Sequence, residues 1–161
     1  ISEKKILFIS EEKHQQLRKG HLRENDILFI NRGEIGKTAL VDENFNNSNL
    51  NSQIAWLRCE KALHFRFLFH YLNSPVIRRL ISQLQTGAAL QQLPIRILKT
   101  LPIIFPCLVN QRLIADNLDA LSEHTRSIEA LYTQKLNDLK ELKQSLLQQA
   151  FAGELTKEDA A

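Results

Sequence analysis

The side chains with the most capacity for chemistry are Gly36-Lys37-Thr38, the pairs Glu34 with Lys37 and Glu141 with Lys143, five scattered histidines and two cysteines. A phosphate-cradling loop of the form GxxxxGK[ST] needs a glycine five residues before the second one and a helix after it. Position 31 is Asn31, and the residues that follow Thr38 are strand formers, so a nucleotide loop is not expected. Metal-dependent nuclease chemistry needs a carboxylate followed by a Glu-x-Lys set that holds magnesium and polarises water. Glu34 stands two residues off from Lys37, and Glu141-Leu142-Lys143 lies in a helical stretch with no carboxylate partner in reach. The Asn-Pro-Pro-aromatic turn of an amino-methyltransferase is missing, and His14, His21, His64, His70 and His124 read as surface or packing residues. Cys59 and Cys107 have no CxxC spacing, which indicates neither a zinc site nor a disulfide framework. The chain is expected to catalyse nothing and to hold no metal or cofactor.

A second chemistry remains open to the same loop. Asn31, Arg32, Lys37 and Thr38 flank Gly33 and Gly36, and such a polar hairpin tip can approach a DNA groove, where arginine bonds guanine bidentately and asparagine bonds adenine. A solvated surface turn is the competing reading for each of them. The elements that would carry the tip are short apolar runs at residues 26–30 and 38–41, read as a β-hairpin with a bulge or wide loop. Residues 44–52 form an asparagine-rich loop, and Gln53 to Arg58 reads as a strand. Leu63 to Leu72 satisfies both a period of two and helical spacing. Ser74-Pro75 has the form of an N-cap with proline at the first helical position, opening a helix that stops near Gly87. From Ala88 to Val109, Pro94, Pro102 and Pro106 exclude a continuous helix and favour short edge strands and turns.

The last third is organised differently. Leu118, Thr125, Tyr132, Leu139 and Leu146 at heptad position a, with Ile114, Leu121, Ile128, Lys135 and Leu142 at d, form a seam about five heptads long. No proline or glycine interrupts residues 110–152, and at 1.5 Å per residue the helix is on the order of 60 Å long. Thr125 and Lys135 place polar groups on the seam, while Leu131 and Leu136 widen the apolar surface to both flanks. That pattern suits an antiparallel helix pair, or a seam whose polar positions set register. An ordinary amphipathic surface helix is the competing reading, although such helices seldom exceed about 20 residues.

Charge divides along the same line. Residues 1–109 hold 15 basic and 9 acidic side chains, net +6, and residues 110–161 hold 6 and 9, net −3. A basic domain on a slightly acidic strut suits a nucleic-acid-facing module carried on a protein-facing one. The longest apolar run, Leu101 to Val109, is too short to span a bilayer and contains two prolines, and no signal peptide opens the chain, so a cytoplasmic location is expected. A chain that opens on Ile1 and has no methionine is expected to continue upstream. The fold class is α+β, with a small mixed domain over residues 1–109, incomplete at its start, a long coiled-coil-forming helix over 110–152 and a fraying tail over 153–161.

Five stretches together resemble one half of a type I restriction-modification specificity subunit. Residues 22–29 (Leu-Arg-Glu-Asn-Asp-Ile-Leu-Phe), followed by Arg32-Gly33 and Gly36-Lys37-Thr38-Ala39, resemble that family's Gly-Asp-Ile-Leu strand and glycine-containing hairpin, with Asn25 where glycine is usual. Phe67 to Ser74 resembles its aromatic helix, and Thr86-Gly87-Ala88-Ala89 with Gln91-Gln92 its polar loop. Leu101-Pro102-Ile103 through Asn110-Gln111-Arg112-Leu113-Ile114-Ala115 resembles the start of its conserved helix. Leu142 to Leu147 with Ala150 to Leu155 resembles that helix's close, and the short polar tail suits a C-terminal half. The resemblance implies a target-recognition domain that reads half of a split DNA sequence without catalysing anything. It also implies a spacer helix that docks methyltransferase subunits, and through them the restriction subunit, with methyl donor, magnesium and ATP belonging to those partners. Base contacts are then expected from Asn31, Arg32, Lys37, Thr38, Gln91 and Gln92, and phosphate contacts from Arg23, Arg78 and Arg79. Helix pairing is expected through Ile114, Leu118, Leu121, Ile128, Leu131, Tyr132, Leu136, Leu139, Leu142 and Leu146, as an antiparallel homodimer if the half subunit stands alone. The alternative, from another class, is a coiled-coil protein-interaction module with no role on DNA.

Overall fold

Alternation of side chains along Ile27–Ile30 (β1) sends Ile27 and Phe29 to one face, where both are fully buried, and leaves Leu28 and Ile30 half-buried on the other. In the computed structural model, which describes residues 6–17, 20–85 and 91–153, β1 is the middle strand of a three-stranded antiparallel sheet. Thr38–Leu40 (β2) pairs on one side with Leu28 opposite Ala39, and Ile54–Leu57 (β3) on the other with Leu28 opposite Trp56. A short helix, Glu11–Gln16 (α1), precedes the sheet and was not foreseen. The expected strands at 26–30, 38–41 and 53–58 are found a residue or two shorter. The asparagine-rich loop after β2 contains a single 3-10 turn, Glu43–Phe45, whose Asp42 caps it by accepting from the Asn44 N–H.

The aromatic run whose spacing suits either a strand or a helix forms a helix. Phe65–Asn73 (α2) buries Phe67, Leu68 and Leu72, and its end is set by Pro75, which forces Ser74 into an extended conformation. Ser74 then caps the next helix, Pro75–Gln83 (α3), by accepting from the Ile77 N–H, with proline at the first helical position as expected. Leu68 and Leu72 of α2 and Ile77 and Ile81 of α3 join Ile27 and Phe29 in one core, completed by Leu93, Leu98 and Leu101. The helix α3 ends at Gln83, with Leu84 at its C-cap, short of the expected stop near Gly87, and the loop Thr86 to Leu90 lies outside the described residues.

The segment after that loop departs from expectation. In place of short edge strands, the chain makes one helical turn, Ile95–Leu98 (α4), with Pro94 at its N-cap and Leu98 buried beneath it. Proline is excluded from a helix interior but not from its start, where its missing N–H has no helical partner to lose. Strand-like pairing in this segment is confined to one isolated bridge, Gln92 with Arg32.

Asn25 is the other informative local feature. Its φ is +68°, a left-handed conformation that asparagine tolerates better than other side-chain-bearing residues, so it does the work of the glycine usual in the resembled motif. The turn it makes lets its N–H bond the Val41 carbonyl at 2.9 Å, while Val41 bonds back to Asp26. Asp26, almost fully buried, accepts two bonds of 2.7 Å from the Arg58 guanidinium and one of 2.8 Å from the Arg23 N–H. The Asp26 side-chain bond draws the Arg58 guanidinium more firmly into its charged form, and the same guanidinium lies 4.6 Å from the Trp56 ring centroid.

The long helix, Leu108–Phe151 (α5), runs for 44 residues and buries only Gln111 and Ala115. By compactness the chain divides into two units, Ile1–Asp116 and Asn117–Ala161, so the first turns of α5 belong with the sheet domain. Gln111 explains why. Its side-chain amide donates to the carbonyls of Ala62 (3.0 Å) and Pro106 (2.8 Å), and its oxygen accepts from the His64 N–H at 2.7 Å, just ahead of α2. Arg66 of α2 pairs with Asp116 at 2.6 Å, and the Tyr71 hydroxyl donates to the Pro102 carbonyl at 2.9 Å. Gly153, at φ +71°, follows the helix end.

Two measurements check this packing. Gln111→Ala strips three main-chain groups of their partner, and is expected to lower the stability of the sheet domain by about 3 kcal/mol or more. Trp56, the single tryptophan, reports that loss directly in urea titrations, and a change under about 1 kcal/mol would mean that water replaces the amide. Cys59 is packed half-buried against the core, and burial, aided by the Asp26 carboxylate, pushes its thiol up to about 11. Alkylation of Cys59 should therefore be slow at neutral pH and climb steadily as pH rises towards that value, while exposed Cys107 is modified first. Equal rates at neutral pH would contradict this.

Candidate nucleic-acid interface

The loop between β1 and β2 is shaped by its glycines. Gly33 and Gly36 have φ of +85° and +86°, and their turns return the chain so that the Ile30 N–H meets the Lys37 carbonyl at 2.9 Å and the Gly36 N–H meets the Ile30 carbonyl at 3.0 Å. A side chain at either position would be strained, whatever space surrounds it. Strand β2 begins at Thr38, where a phosphate loop would run on into a helix. Among the described residues no group of His, Cys, Asp and Glu could hold a metal.

Three of the expected base-reading residues converge here. The Asn31 main chain is bonded on both sides, its N–H to Gln53 at 3.1 Å and its carbonyl from Leu93 at 2.9 Å, so β1, β3 and the segment before α4 are tied at one residue. Leu93 is fully buried and anchors that segment. Arg32 and Gln92 are consequently fixed opposite each other, and the Arg32 guanidinium donates to the Gln92 side-chain oxygen at 3.2 Å. Both residues are exposed, so the Arg32–Gln92 pair stands at the surface. Asn31 is placed differently. Its side-chain oxygen is buried and has no hydrogen-bond partner among the described residues, so the side chain faces inward in this conformation.

Lys37 and Thr38 are both engaged. Lys37 pairs with Glu34 at 2.6 Å, and that ammonium, by its hydrogen bond first and its charge second, holds the Glu34 carboxyl below its usual value. Both groups are well exposed, so the pair is worth little and exchanges readily for a phosphate. The Thr38 hydroxyl accepts from the Asn73 side chain at 2.6 Å, and the Asn73 oxygen accepts from the Arg78 guanidinium at 2.7 Å. Asn73 also bonds the Phe69 carbonyl at 2.7 Å. It therefore joins the hairpin to the exposed Arg78, with Arg79 exposed at the next position of α3. Asn73 was not singled out from the sequence; its place at the end of α2, just before Ser74-Pro75, is the signal that it sits at a helix junction.

Arg23 stands apart from this group. It precedes β1, whereas the hairpin tip follows β1, so the two lie at opposite ends of that strand. Arg23 lines a separate cleft of about 350 Å³ with Asp26, Arg58, Lys61, Leu108 and Arg112. Gln91 is exposed beside Gln92. The expected helix-pairing residues Ile114, Leu118, Leu121, Ile128, Leu131, Tyr132, Leu136, Leu139, Leu142 and Leu146 are all more than a third exposed along α5. No helix among the described residues is long and apolar enough to cross a membrane.

Known proteins share this pattern. The family model described as the type I restriction modification DNA specificity domain matches residues 8–141. The specificity subunit of the Escherichia coli type I restriction enzyme EcoBI is 32% identical over 149 residues, covering 92% of this chain and 31% of that subunit. The EcoKI specificity subunit of Escherichia coli strain K12 is 33% identical over 100 residues, covering 62% of this chain and 22% of its own length. The chain thus spans a third or less of these curated relatives. Among solved structures, a chain from work on complex assembly and conformational transition of the type I R-M system superposes with a TM-score of 0.70 at 23% identity, over 81% of this chain and 31% of that one. The type I restriction-modification S subunit from M. genitalium gives 0.53 at 26% identity, over 70% and 30%. The small antiparallel sheet with its helices and the long C-terminal helix are shared with these neighbours. With the family model covering most of its length, including the glycine hairpin and much of α5, the chain belongs to the family of type I restriction modification DNA specificity domains.

Proposed function

We propose that this chain reads one half of a split DNA target within a type I restriction-modification complex and catalyses nothing itself. The recognition domain spans residues 1–109 and the spacer helix residues 110–152. The helix docks the modification subunits, and through them the restriction subunit, which bring their own methyl donor, magnesium and ATP. The observation that carries this reading is the convergence of Arg32, Gln92, Thr38 and Arg78 around one glycine hairpin, through bonds of Arg32 to Gln92 and of Asn73 to both Thr38 and Arg78. Donors held in fixed directions at an exposed edge are what base readout requires. Lys37 and Gln91 complete the base-facing set, and Asn31, whose side chain faces inward, supports it through its main chain, while Arg78 and Arg79 contact phosphate beside it and Arg23 does so from the other end of β1.

Arg32→Ala in the assembled complex is expected to weaken binding to the target by about 1 to 3 kcal/mol, and binding to unrelated duplex by much less. Equal losses on both would make Arg32 a phosphate contact, and no loss on either would take the hairpin out of the interface. Binding to random duplex should also weaken steeply with salt, since phosphate neutralisation releases counterions. A flat salt response would favour the protein-interaction alternative.

An isolated chain of this kind is proposed to dimerise through α5, with antiparallel helices. Leu121 and Leu139 are each 61% exposed in the single chain, too much apolar surface to leave in water along a whole helix face. Leu121→Glu with Leu139→Glu should convert a dimer to a monomer in sedimentation equilibrium while Trp56 fluorescence stays native. A wild-type chain that is monomeric at tens of micromolar would sink the homodimer and leave another helix as the partner.

A further inference from the structure

The α5 seam is nearly its own mirror image in sequence. Reflection about Ala130 exchanges Ile114 with Leu146, Leu118 with Leu142, Leu121 with Leu139, Thr125 with Lys135, and Ile128 with Tyr132. Every exchange pairs an a position with a d position, which is the layer pattern of two antiparallel helices. Apolar residues meet apolar residues throughout, and the two polar residues meet each other. We propose that two copies of this chain pair in this single antiparallel register, and that Lys135 crossing Thr125 of the second copy is its key. The inference rests on the dimer proposed above and adds which residues face which.

The competing arrangements are poorer for stated reasons. A shift of one heptad in one direction sets Lys135 against Leu118 and leaves Leu142 and Leu146 without seam partners. The opposite shift sets Lys135 against Tyr132 and Thr125 against Leu142, and leaves Ile114 and Leu118 unmatched. A parallel pair would set Lys135 directly against Lys135, burying like charges. Among antiparallel registers, only the one centred on Ala130 uses all ten seam positions.

The side chains suit that register. The Thr125 hydroxyl already donates to the Leu121 carbonyl at 2.8 Å, so Thr125 asks nothing of a partner and offers a small surface for a long side chain to cross. Lys135 is long enough to lay its stem across Thr125 and carry its ammonium past it; in the single chain that ammonium lies 5.7 Å from the Tyr132 ring centroid, one turn back along the helix. In the pair it reaches Glu129 of the second copy, one turn on from Thr125. That offsets the one like-charge meeting on the flanks, Glu129 with its own copy at the axis. On the other flank Leu131 meets its own copy and His124 faces Asp138, which accounts for an apolar g position that the seam alone does not need. Leu131 and Leu136, 53% and 58% exposed in the single chain, are the residues that widen the stripe.

Disulfide trapping tests the register. In a full-length chain with Cys107→Ser and Cys59→Ala, differently tagged copies carrying Leu121→Cys and Leu139→Cys are mixed and oxidised. The 121–139 product should dominate, with 121–121 and 139–139 products at background. Partners carrying Tyr132→Cys or Leu146→Cys report the two shifted registers against Leu121→Cys, and should stay at background until Lys135→Leu is added, when both products should rise. A dominant 121–121 product, a dominant shifted product, an absence of dimer, or a product pattern indifferent to Lys135→Leu would each overturn the proposal. Trapping needs no DNA. A chain that pairs in this register yet ignores DNA would defeat the recognition reading and leave the register standing.

Discussion

Gln111 is a neutral amide with no exposed surface, and three main-chain groups from two different segments converge on it. A buried amide is tolerated only when its donors and acceptor are met, because an unmet buried polar group costs about 1 to 3 kcal/mol. Here the carbonyls of Ala62 and Pro106 and the His64 N–H would themselves be left unmet without it. The same side chain therefore holds the turn before α2, the proline-rich run before α5 and the first turn of α5. Remove it and two loops lose their common tie to the helix. That a long helix should begin as part of a small sheet domain follows from this one residue and the Ala115 packing beside it.

A similar economy operates at the start of β1. Asp26 is buried and charged, a costly combination unless the charge is paired and its lone pairs are bonded. Arg58 from the end of β3 and the Arg23 N–H supply those partners, so the loop that carries Asn25 is locked to the sheet. The opposite end of β1 is tied through Asn31 to β3 and to the Leu93 segment. Between these two locks the strand is held, and the exposed side chains of Arg32 and Arg78 extend from a fixed base. A scaffold of this kind suits recognition by placement, in which affinity comes from charge and discrimination from the directions in which donors point.

The acidic, apolar helix and the basic domain divide the physical tasks. Along α5, threonine and serine hydroxyls at Ser122, Thr125 and Thr133 turn back to carbonyls of their own helix, which leaves the apolar stripe as its main unmet demand. In the domain the core is formed by Ile27, Phe29, Leu68, Leu72, Ile77, Ile81, Leu93, Leu98 and Leu101, and the glycine hairpin beside it presents polar side chains.

Features governed by neighbours in sequence were legible without the fold. The heptad seam, the Ser74-Pro75 cap, the two glycines of the hairpin and the asparagine standing in for glycine at position 25 each depend on backbone preferences or a period that a few residues determine. The family itself was legible from the order of such motifs. What the sequence could not show were ties spanning long separations: Gln111 to His64, Arg32 to Gln92, Thr38 through Asn73 to Arg78, and Arg58 to Asp26. Proline near residue 94 excluded a continuous helix but could not reveal that Leu98 has a core to fill, and that burial turned an expected edge strand into a helical turn. Identity and spacing determine which groups a chain carries and which local shapes it prefers. Which donor meets which acceptor is decided only when distant segments compete for the same buried space, because the cost of leaving a polar group unmet is set by the surroundings and not by the residue.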